Sequence, residues 1–218
     1  MAAERPSRQR VPSAAFEAFL ATPPPKRTRP VSEAALLALD LETTGLKPKS
    51  DAILSIGAVA IVGGAIDVGS AFHMIVKPDT ALPVDTGAVI HGLGHDRLAT
   101  GMPLSDALDR LWPALAGRLL VAHGAALERD FLDQVCRRFY GERFRGPVID
   151  TLTLEQRRPG HRREQGPGTL RLDAVRRRYG LPRYRAHHAL SDALACAELF
   201  LAQSAYLGDD PPLRKFLP

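Results

Sequence analysis

Two carboxylates inside one apolar segment constrain the fold of this chain more than any other sequence feature. Residues 34–46 read A-A-L-L-A-L-D-L-E-T-T-G-L, with Asp40 and Glu42 two positions apart. Residues i and i+2 of a strand point to one face, so a strand over 35–41 would place both carboxylates side by side. An unpaired carboxylate in apolar surroundings is costly, and two of them repel each other. The pattern therefore predicts a divalent cation between them; the alternative, an exposed edge strand with solvated acids, conflicts with the flanking leucines.

The composition is typical of a soluble globular protein. The chain has 218 residues, 45% hydrophobic and 24% charged, which is enough for one domain with appendages. Its most apolar run, residues 52–66, is too short and glycine-interrupted to cross a membrane, and the polar N-terminus lacks the apolar region of a signal peptide. Cys136 and Cys196 lack zinc-site spacing, and we expect them to be buried, reduced thiols. The sequence therefore predicts a cytoplasmic protein without a membrane partner.

Positive charge is concentrated in one part of the chain. Residues 137–185 contain 14 arginines and no lysine, against five acidic residues, although the whole chain has a formal net charge of only +5. Such a block suits a polyanionic partner, whereas the alternative is that the arginines merely solvate helix faces. The segment R-R-P-G-H-R-R (157–163) has neither helical nor strand periodicity, which argues against that alternative. The residues predicted to contact a polyanion are Arg157, Arg158, Arg162 and Arg163.

The chain divides into three parts. Residues 1–30 form a basic, proline-rich extension, residues 31–207 the domain proper, and residues 208–218 a short C-terminal tail. Within the extension, S-A-A-F-E-A-F-L (13–20) fits one short amphipathic helix with Ser13 as its N-cap. That helix could dock on the domain or on a partner protein.

The order of elements predicts an α/β fold. Three strands joined by short links favour an antiparallel meander, with Gly57 in the second strand marking a close approach of another segment. The later segments alternate between strand and helix, which indicates a mixed sheet with helices on its faces. The predicted strands are 35–41, 53–62, 69–77, 118–123 and 147–150, and the predicted helices are 83–92, 103–117, 126–140, 150–157, 169–179 and 188–206.

A third acidic candidate lies in A-H-G-A-A-L-E-R-D-F-L (122–132). Glu128 precedes Phe131 and Leu132 by three and four residues, so it falls on the core-facing side of the predicted helix. Asp130 lies about 200° round the helix from Glu128, toward solvent. Glu128 is thus a candidate metal ligand; the alternative is a boundary glutamate whose stem covers the edge of the core.

The fourth candidate lies in R-A-H-H-A-L-S-D-A (185–193). Asp192 stands near the start of a predicted helix, and His187 precedes it by five residues, with His188 as the other candidate histidine. Carboxylate oxygens are hard ligands suited to Mg²⁺ or Mn²⁺, and two such ions about 4 Å apart can clamp an in-line displacement at phosphorus. A histidine with a pKa near neutrality can accept the proton of the attacking water.

Three ordered motifs, D-L-E-T-T-G (40–45), A-H-G-A-A-L-E-R-D-F-L and H-H-A-L-S-D-A (187–193), resemble those of the DEDDh branch of the DEDD 3′–5′ exonucleases. This group includes the proofreading epsilon subunit of bacterial DNA polymerase III and ribonuclease T. The resemblance implies a ribonuclease H-like mixed sheet flanked by helices, with two divalent metal ions, Mg²⁺ or Mn²⁺. It makes His187 the general base and assigns the metal ions to the four acids Asp40, Glu42, Glu128 and Asp192, of which Glu42 also counts as catalytic.

The resemblance also implies where the substrate binds. The residues expected to contact the terminal nucleotide are Thr43, Thr44, Gly45 and His91, with Leu46 or Phe131 stacking on a base. The implied activity is release of nucleoside 5′-monophosphates from the 3′ end of a single strand, with DNA favoured and RNA as the alternative. A polymerase or another replication or repair protein is a possible partner through the N-terminal extension.

The second motif departs from the family pattern. It usually reads A-H-N-A-x-F-D, whereas this chain has Gly124, Leu127 and Glu128 in place of Asn, Phe and Asp. Glutamate is longer than aspartate by one methylene, so it can bind only if the backbone or the metal adjusts. The departure bears on metal occupancy and rate more than on fold. The alternative function is a catalytically weakened module that keeps the fold and binds nucleic acid or a polymerase.

Overall fold

In this computed structural model the described residues are 13–78, 95–160, 166–184 and 186–218. The helix predicted over residues 83–92 lies outside them. Within the described ranges, no helix is long and apolar enough to cross a membrane.

The centre of the fold is a five-stranded mixed sheet, which confirms the predicted α/β class. Its strand order is β3-β2-β1-β4-β5; β1, β2 and β3 are antiparallel neighbours, as the meander prediction required, whereas β4 and β5 run parallel to β1. The strands are β1 (Ala35–Thr43), β2 (Ile53–Val62), β3 (Ala65–Ile75), β4 (Leu119–Ala122) and β5 (Val148–Asp150).

Helices cover both faces of this sheet, and most begin and end within a few residues of their predicted bounds. They are α1 (Ala14–Ala21), α2 (His95–Ala99), α3 (Leu104–Leu115), α4 (Ala126–Phe139), α5 (Thr151–Arg157), α6 (Leu172–Arg178) and α7 (Ala189–Tyr206), with short 3₁₀ turns at Val31–Glu33 and Leu213–Lys215.

The alternation of side chains along β1 separates two cores. Leu37, Leu39 and Leu41 pack in a cluster with α1, α3 and α4, whereas Leu36 and Ala38 pack on the opposite face with α7. Asp40 and Glu42 share the parity of Leu36 and Ala38, so both carboxylates lie on the α7 side of the sheet. Because side chains alternate between the two faces of the strand, α7 is the helix that can contact the two acids.

Segments on both sides of the predicted 31–207 domain pack against it. In α1, Ser13 caps the helix by accepting from the Phe16 N–H at 3.2 Å, as the sequence predicted, and the Phe16 ring stacks on Tyr140 at 3.9 Å. At the other end, Leu213 and Phe216 are buried in the core beneath α7. Helix α1 therefore docks on the domain of its own chain, and the C-terminal tail contributes to the hydrophobic core.

Candidate active site

Three carboxylates from two distant segments meet near the C-terminal end of the central strand, β1. Asp40 and Glu42 of β1 and Asp192 in the first turn of α7 each offer an oxygen, and these oxygens lie within 4.8 Å of one another. Glu42 is only 6% exposed, and the other two are half-buried. Three like charges at this spacing repel strongly unless a cation lies among them.

A glycine in β2 allows α7 to come this close. Gly57 pairs with Asp40 across the β1–β2 ladder. A Cβ at Gly57 would lie 2.1 Å from both the Ala189 carbonyl carbon and the Leu190 nitrogen, in the first turn of α7. No side chain fits there, so the close approach predicted at Gly57 is confirmed and brings Asp192 beside the β1 carboxylates.

Burial and mutual repulsion raise the pKa values of these acids. The pKa of Asp40 is raised well above its ordinary value, first by burial and then by the charges of Glu128, Asp192 and Glu42. Burial followed by the charge of Asp192 raises the pKa of Glu42 to about 7. The acids thus share one electrostatic environment in which a divalent cation would favour their charged forms.

Glu128 borders this cluster from the first turn of α4. It is 4% exposed, whereas the Asp130 side chain is 56% exposed, which is the helical phase that the sequence predicted. The Oε2 atom of Glu128 has no hydrogen-bond partner among the described residues, and burial is the main cause that raises its pKa to about 8. A buried carboxylate oxygen that accepts no hydrogen bond is suited to bind a metal. The set of acidic side chains therefore fits a divalent ion. Glu128 is nevertheless not among the three acids that meet within 4.8 Å.

The two candidate histidines have different environments. His188 is the N-cap of α7, its Nδ1 accepting from the Ser191 N–H at 3.4 Å, and its ring lies 4.3 Å from that of His73. His187 is exposed and adopts a left-handed backbone conformation with φ 64°. Its N–H donates to Asp192 Oδ2 at 2.8 Å. His188 therefore has a structural task, which leaves His187 as the candidate base.

The loop after β1 has an internally bonded shape. The Thr43 hydroxyl donates to the Gly45 carbonyl at 2.7 Å, and the Thr44 hydroxyl accepts from the Ala52 N–H at 2.9 Å. These bonds leave Leu46 outside the fold with 79% of its surface exposed. The four predicted loop contacts thus lie directly after Glu42, with Leu46 available to a ligand.

Two of the predicted substrate contacts, Phe131 and Arg158, contact the rest of the protein instead of being open to a ligand. Phe131 is 2% exposed within the core, so in this structure it cannot offer a ring face to a base, and that expectation is corrected. Arg158 is 17% exposed and binds the fully buried Glu155 at 2.8 Å, so it stabilises the fold, while Arg157 is exposed. The remaining predicted contacts, His91, Arg162 and Arg163, lie outside the described residues.

Sequence reasoning missed Asp150, which lies close to Glu128, and His123, which lies close to Asp150. His123 is half-buried and bridges two segments, with Nδ1 2.8 Å from the Thr151 hydroxyl and Nε2 2.8 Å from the Leu170 carbonyl. Asp150 caps α5 and accepts from the Gly124 N–H at 2.8 Å, and its charge contributes to the raised pKa of Glu128. The sequence did contain a signal for Asp150, because this acid stands at the end of a predicted strand, as Asp40 does.

A mixed sheet of this order, with acids gathered at the end of its central strand, matches the ribonuclease H-like fold that the resemblance implied. The sequence matches the family described as Exonuclease (RNase_T) over residues 37–200, which is most of the chain. The chain therefore belongs to this exonuclease family, whose type is 3′–5′, and the resemblance found in the sequence is confirmed.

Curated relatives agree with this assignment. The chain is 34% identical over 179 residues to a DNA polymerase III subunit epsilon-like protein of Rhodobacter capsulatus, matching 79% of this chain and 24% of that protein. It is 32% identical over 173 residues to the DNA polymerase III subunit epsilon of Treponema pallidum, matching 79% and 77% of the two chains. The match to a PolC-type DNA polymerase III of Thermotoga maritima covers only 12% of that protein. The matches thus cover a small part of the Rhodobacter capsulatus and Thermotoga maritima proteins and most of the Treponema pallidum protein.

Solved structures share the fold at low sequence identity. The nuclease domain of 3′hExo, described as a DEDDh family member bound to rAMP, superposes with a TM-score of 0.63 at 18% identity, covering 81% of this chain and 94% of that one. Escherichia coli exonuclease I in complex with a dT13 oligonucleotide gives the same TM-score at 18% identity, covering 78% and 40%. These likenesses support the fold.

Proposed function

We propose that this protein is a metal-dependent 3′–5′ exonuclease that hydrolyses the terminal phosphodiester bond of a single-stranded nucleic acid and releases nucleoside 5′-monophosphates. The observation that carries the proposal is the meeting of Asp40, Glu42 and Asp192 within 4.8 Å in a chain of the exonuclease family. Burial and the charges of neighbouring acids raise the pKa values of Asp40 and Glu42, so a cation among the three acids would stabilise their charged forms. They suit two divalent cations, Mg²⁺ or Mn²⁺, because all the donors are carboxylate oxygens.

The residues of the site divide the chemistry among them. Asp40, Glu42, Asp192 and the buried Glu128 would hold the cations, which when bound activate water and stabilise the leaving oxygen. His187, exposed beside Asp192, accepts the proton of the attacking water as general base. The loop from Thr43 to Leu46 holds the terminal nucleotide, with exposed Leu46 against its base.

DNA is the favoured substrate. Two curated relatives are named as a DNA polymerase III subunit epsilon and as an epsilon-like protein, and Escherichia coli exonuclease I was solved with a dT13 oligonucleotide. RNA is the alternative, since 3′hExo was solved with rAMP. We also propose a polymerase or another replication or repair protein as a partner through the N-terminal extension, and a cytoplasmic location; one relative is itself named as a subunit of DNA polymerase III.

One experiment tests the activity. Oligonucleotides of DNA and RNA, labelled at the 3′ end, are incubated with the protein and Mn²⁺, beside Asp40→Ala and a control, Asp106→Ala, which removes an exposed acid of α3. We expect labelled mononucleotide from the wild type and from Asp106→Ala, faster with DNA, and none from Asp40→Ala.

The second candidate function is a binding module without useful catalysis. It is favoured by Glu128, which replaces the usual aspartate and lies outside the group of three acids that meet within 4.8 Å. Equal absence of product from the wild type and Asp40→Ala, together with retained binding of the labelled strand, would replace the enzyme proposal by this one.

A further inference from the structure

We propose that a small cavity between α5 and the C-terminal end of α7, here named the distal cavity, binds an upstream nucleotide of the strand whose 3′ end lies at the acids. Its lining includes Arg157, Tyr179, Gln203, Tyr206 and Lys215. The proposal rests on the proposed function, because it assigns a second contact to the same substrate.

The first support is a buried amide that lacks a partner. Gln203 is 3% exposed, and its Nε2 donates to the Thr151 carbonyl at 2.9 Å, which fixes the side chain. Its Oε1 atom has no hydrogen-bond partner among the described residues. A buried acceptor left without a donor is costly, so a ligand N–H that reaches this oxygen from the cavity would gain a hydrogen bond. The amino and ring N–H groups of nucleobases are such donors.

The second support is an exposed aromatic ring at the mouth of the cavity. Tyr206 is 62% exposed although it belongs to α7, and Tyr179 holds it edge-to-face with ring centroids 6.4 Å apart. A ring that is braced on one side and open on the other is a platform on which a base can stack. Neighbouring Leu207, 41% exposed, extends the apolar surface.

The third support is charge. Among the described residues that line the distal cavity there are three cations, Arg157, Arg158 and Lys215, and no carboxylate. Arg158 binds Glu155, whereas Arg157 and Lys215 are exposed at the rim. Cations beside a stacking ring suit a nucleotide with its phosphate better than an apolar peptide.

A second cavity, of about 210 Å³, shares Arg157 with the distal cavity and extends to Ala125 and Asp150, next to the turn of α4 that carries Glu128. Tyr206 follows Asp192 by 14 residues of α7, which is about 21 Å at ~1.5 Å per residue. That span takes about six nucleotides at the ~3.4 Å rise of a stacked strand, and fewer when extended. A strand of about that length with its 3′ end at the acids would therefore place an upstream nucleotide at the distal cavity.

Two exposed positions test the proposal without disturbing the core. Binding of a fluorescent DNA strand of about ten nucleotides is measured in EDTA, so that no turnover interferes. We expect Tyr206→Ala to weaken binding about tenfold, and Tyr206→Phe, which keeps the stacking ring, to leave binding nearly unchanged. Lys215→Glu should lower the salt slope of binding by about 0.7, the value for one phosphate contact on a single strand.

Hydrolysis separates this proposal from the catalytic one. A dinucleotide is too short to reach the distal cavity, so Tyr206→Ala should cleave it at the wild-type rate. The wild type should cleave longer strands faster than a dinucleotide, and the variant should lose only this difference. The control Arg110→Ala, at an exposed site on α3, should change neither result. Unchanged binding and length dependence in Tyr206→Ala would overturn the distal site even with an active enzyme. A wild type that cleaves neither dinucleotide nor longer strand, while Tyr206→Ala still weakens binding, would overturn the activity alone.

Discussion

Asp192 accepts the main-chain N–H of His187 at 2.8 Å, so the carboxylate that joins the acidic cluster also fixes the backbone of the candidate base. The same oxygen accepts the His188 N–H at 3.3 Å. Two bonds to one carboxylate hold the left-handed conformation of His187 at the start of α7. Asp192 and His187 therefore act as one unit, and substitutions at the two positions should not be additive.

Two substitutions at Asp192 should separate its charge from its hydrogen bonds. Asp192→Asn removes the charge but keeps an oxygen for the two N–H groups, whereas Asp192→Ala removes both. We expect each variant to lose activity by a factor on the order of 10² to 10³ or more. Only Asp192→Ala should speed hydrogen exchange of the His187 and His188 amides. Activity within tenfold of the wild type in Asp192→Asn would count against Asp192 as a ligand.

At His187, glycine and alanine should differ in stability but not in activity. The left-handed conformation at φ 64° costs an L residue about 1 kcal/mol that glycine avoids. Both variants lose the ring and should be inactive, while His187→Gly should exceed His187→Ala in free energy of unfolding by about 1 kcal/mol. Urea denaturation measures the difference. Equal stability of the two variants would show that the loop relaxes when the ring is removed.

Gly57→Ala should damage the site without changing any acid. The new Cβ would overlap the main chain of Ala189 and Leu190, so the start of α7 must move away from β2. We expect loss of activity and a destabilisation of about 1–3 kcal/mol or more, as for overpacked cores. Gly69→Ala is the matched control, because it lies in the exposed part of β3 and would meet only the Asp67 carboxylate at 3.3 Å. Wild-type activity in Gly57→Ala would contradict the role given to this glycine.

Local periodicity explains which parts of the site the sequence predicts. The period of two places Asp40 and Glu42 on one face of β1, and the period of 3.6 turns Glu128 inward and Asp130 outward. Gly57 was readable because a glycine inside a strand has few other uses. In each case the signal lies within a few residues of the position it describes.

Contacts between distant segments explain what the sequence left open or got wrong. Helical spacing put Phe131 on the inward face, but the depth of its burial depends on packing by other elements. The stacking of Phe16 on Tyr140, which docks α1 on the domain, joins residues far apart in the chain. Tyr206 lies in the same cavity as Arg157, the last residue of α5, because α7 packs across several strands of the sheet. The spacing of residues in the sequence does not predict contacts between segments this far apart in the chain.

Arg158 should prove to be a stabilising residue and not a substrate contact. It binds Glu155, which is fully buried and also accepts from Arg178 and Tyr179. Arg158→Ala leaves that carboxylate short of one donor, so we expect a loss of about 1–3 kcal/mol in the free energy of unfolding. Arg157→Ala, at an exposed position, should change stability by less than about 0.5 kcal/mol. Equal stability of both variants, with weaker strand binding in Arg158→Ala, would restore the original interpretation.

Removal of divalent metal should make stability depend on pH in a definite direction. The pKa values of Glu42 and Glu128 are about 7 and about 8 in the folded protein, against an ordinary value of 4.5. Between about pH 4.5 and about pH 8 the folded state binds more protons than the unfolded state, so the free energy of unfolding falls as pH rises. This contribution is complete below pH 4.5 and lost above pH 8. Thermal unfolding in EDTA should therefore begin at lower temperature at the alkaline end of that range.

Mn²⁺ should reverse this trend, because deprotonated carboxylates bind the metal and binding stabilises the folded state. The gain in melting temperature on adding Mn²⁺ should be larger near pH 8 than near pH 5, where protons compete for the same oxygens. Glu128→Gln removes one buried charge, so its melting temperature in EDTA should fall less with rising pH than that of the wild type or of the exposed control Glu17→Gln. Equal stabilisation by Mn²⁺ at both pH values, or an unchanged slope in Glu128→Gln, would mean that these acids do not form one cation site.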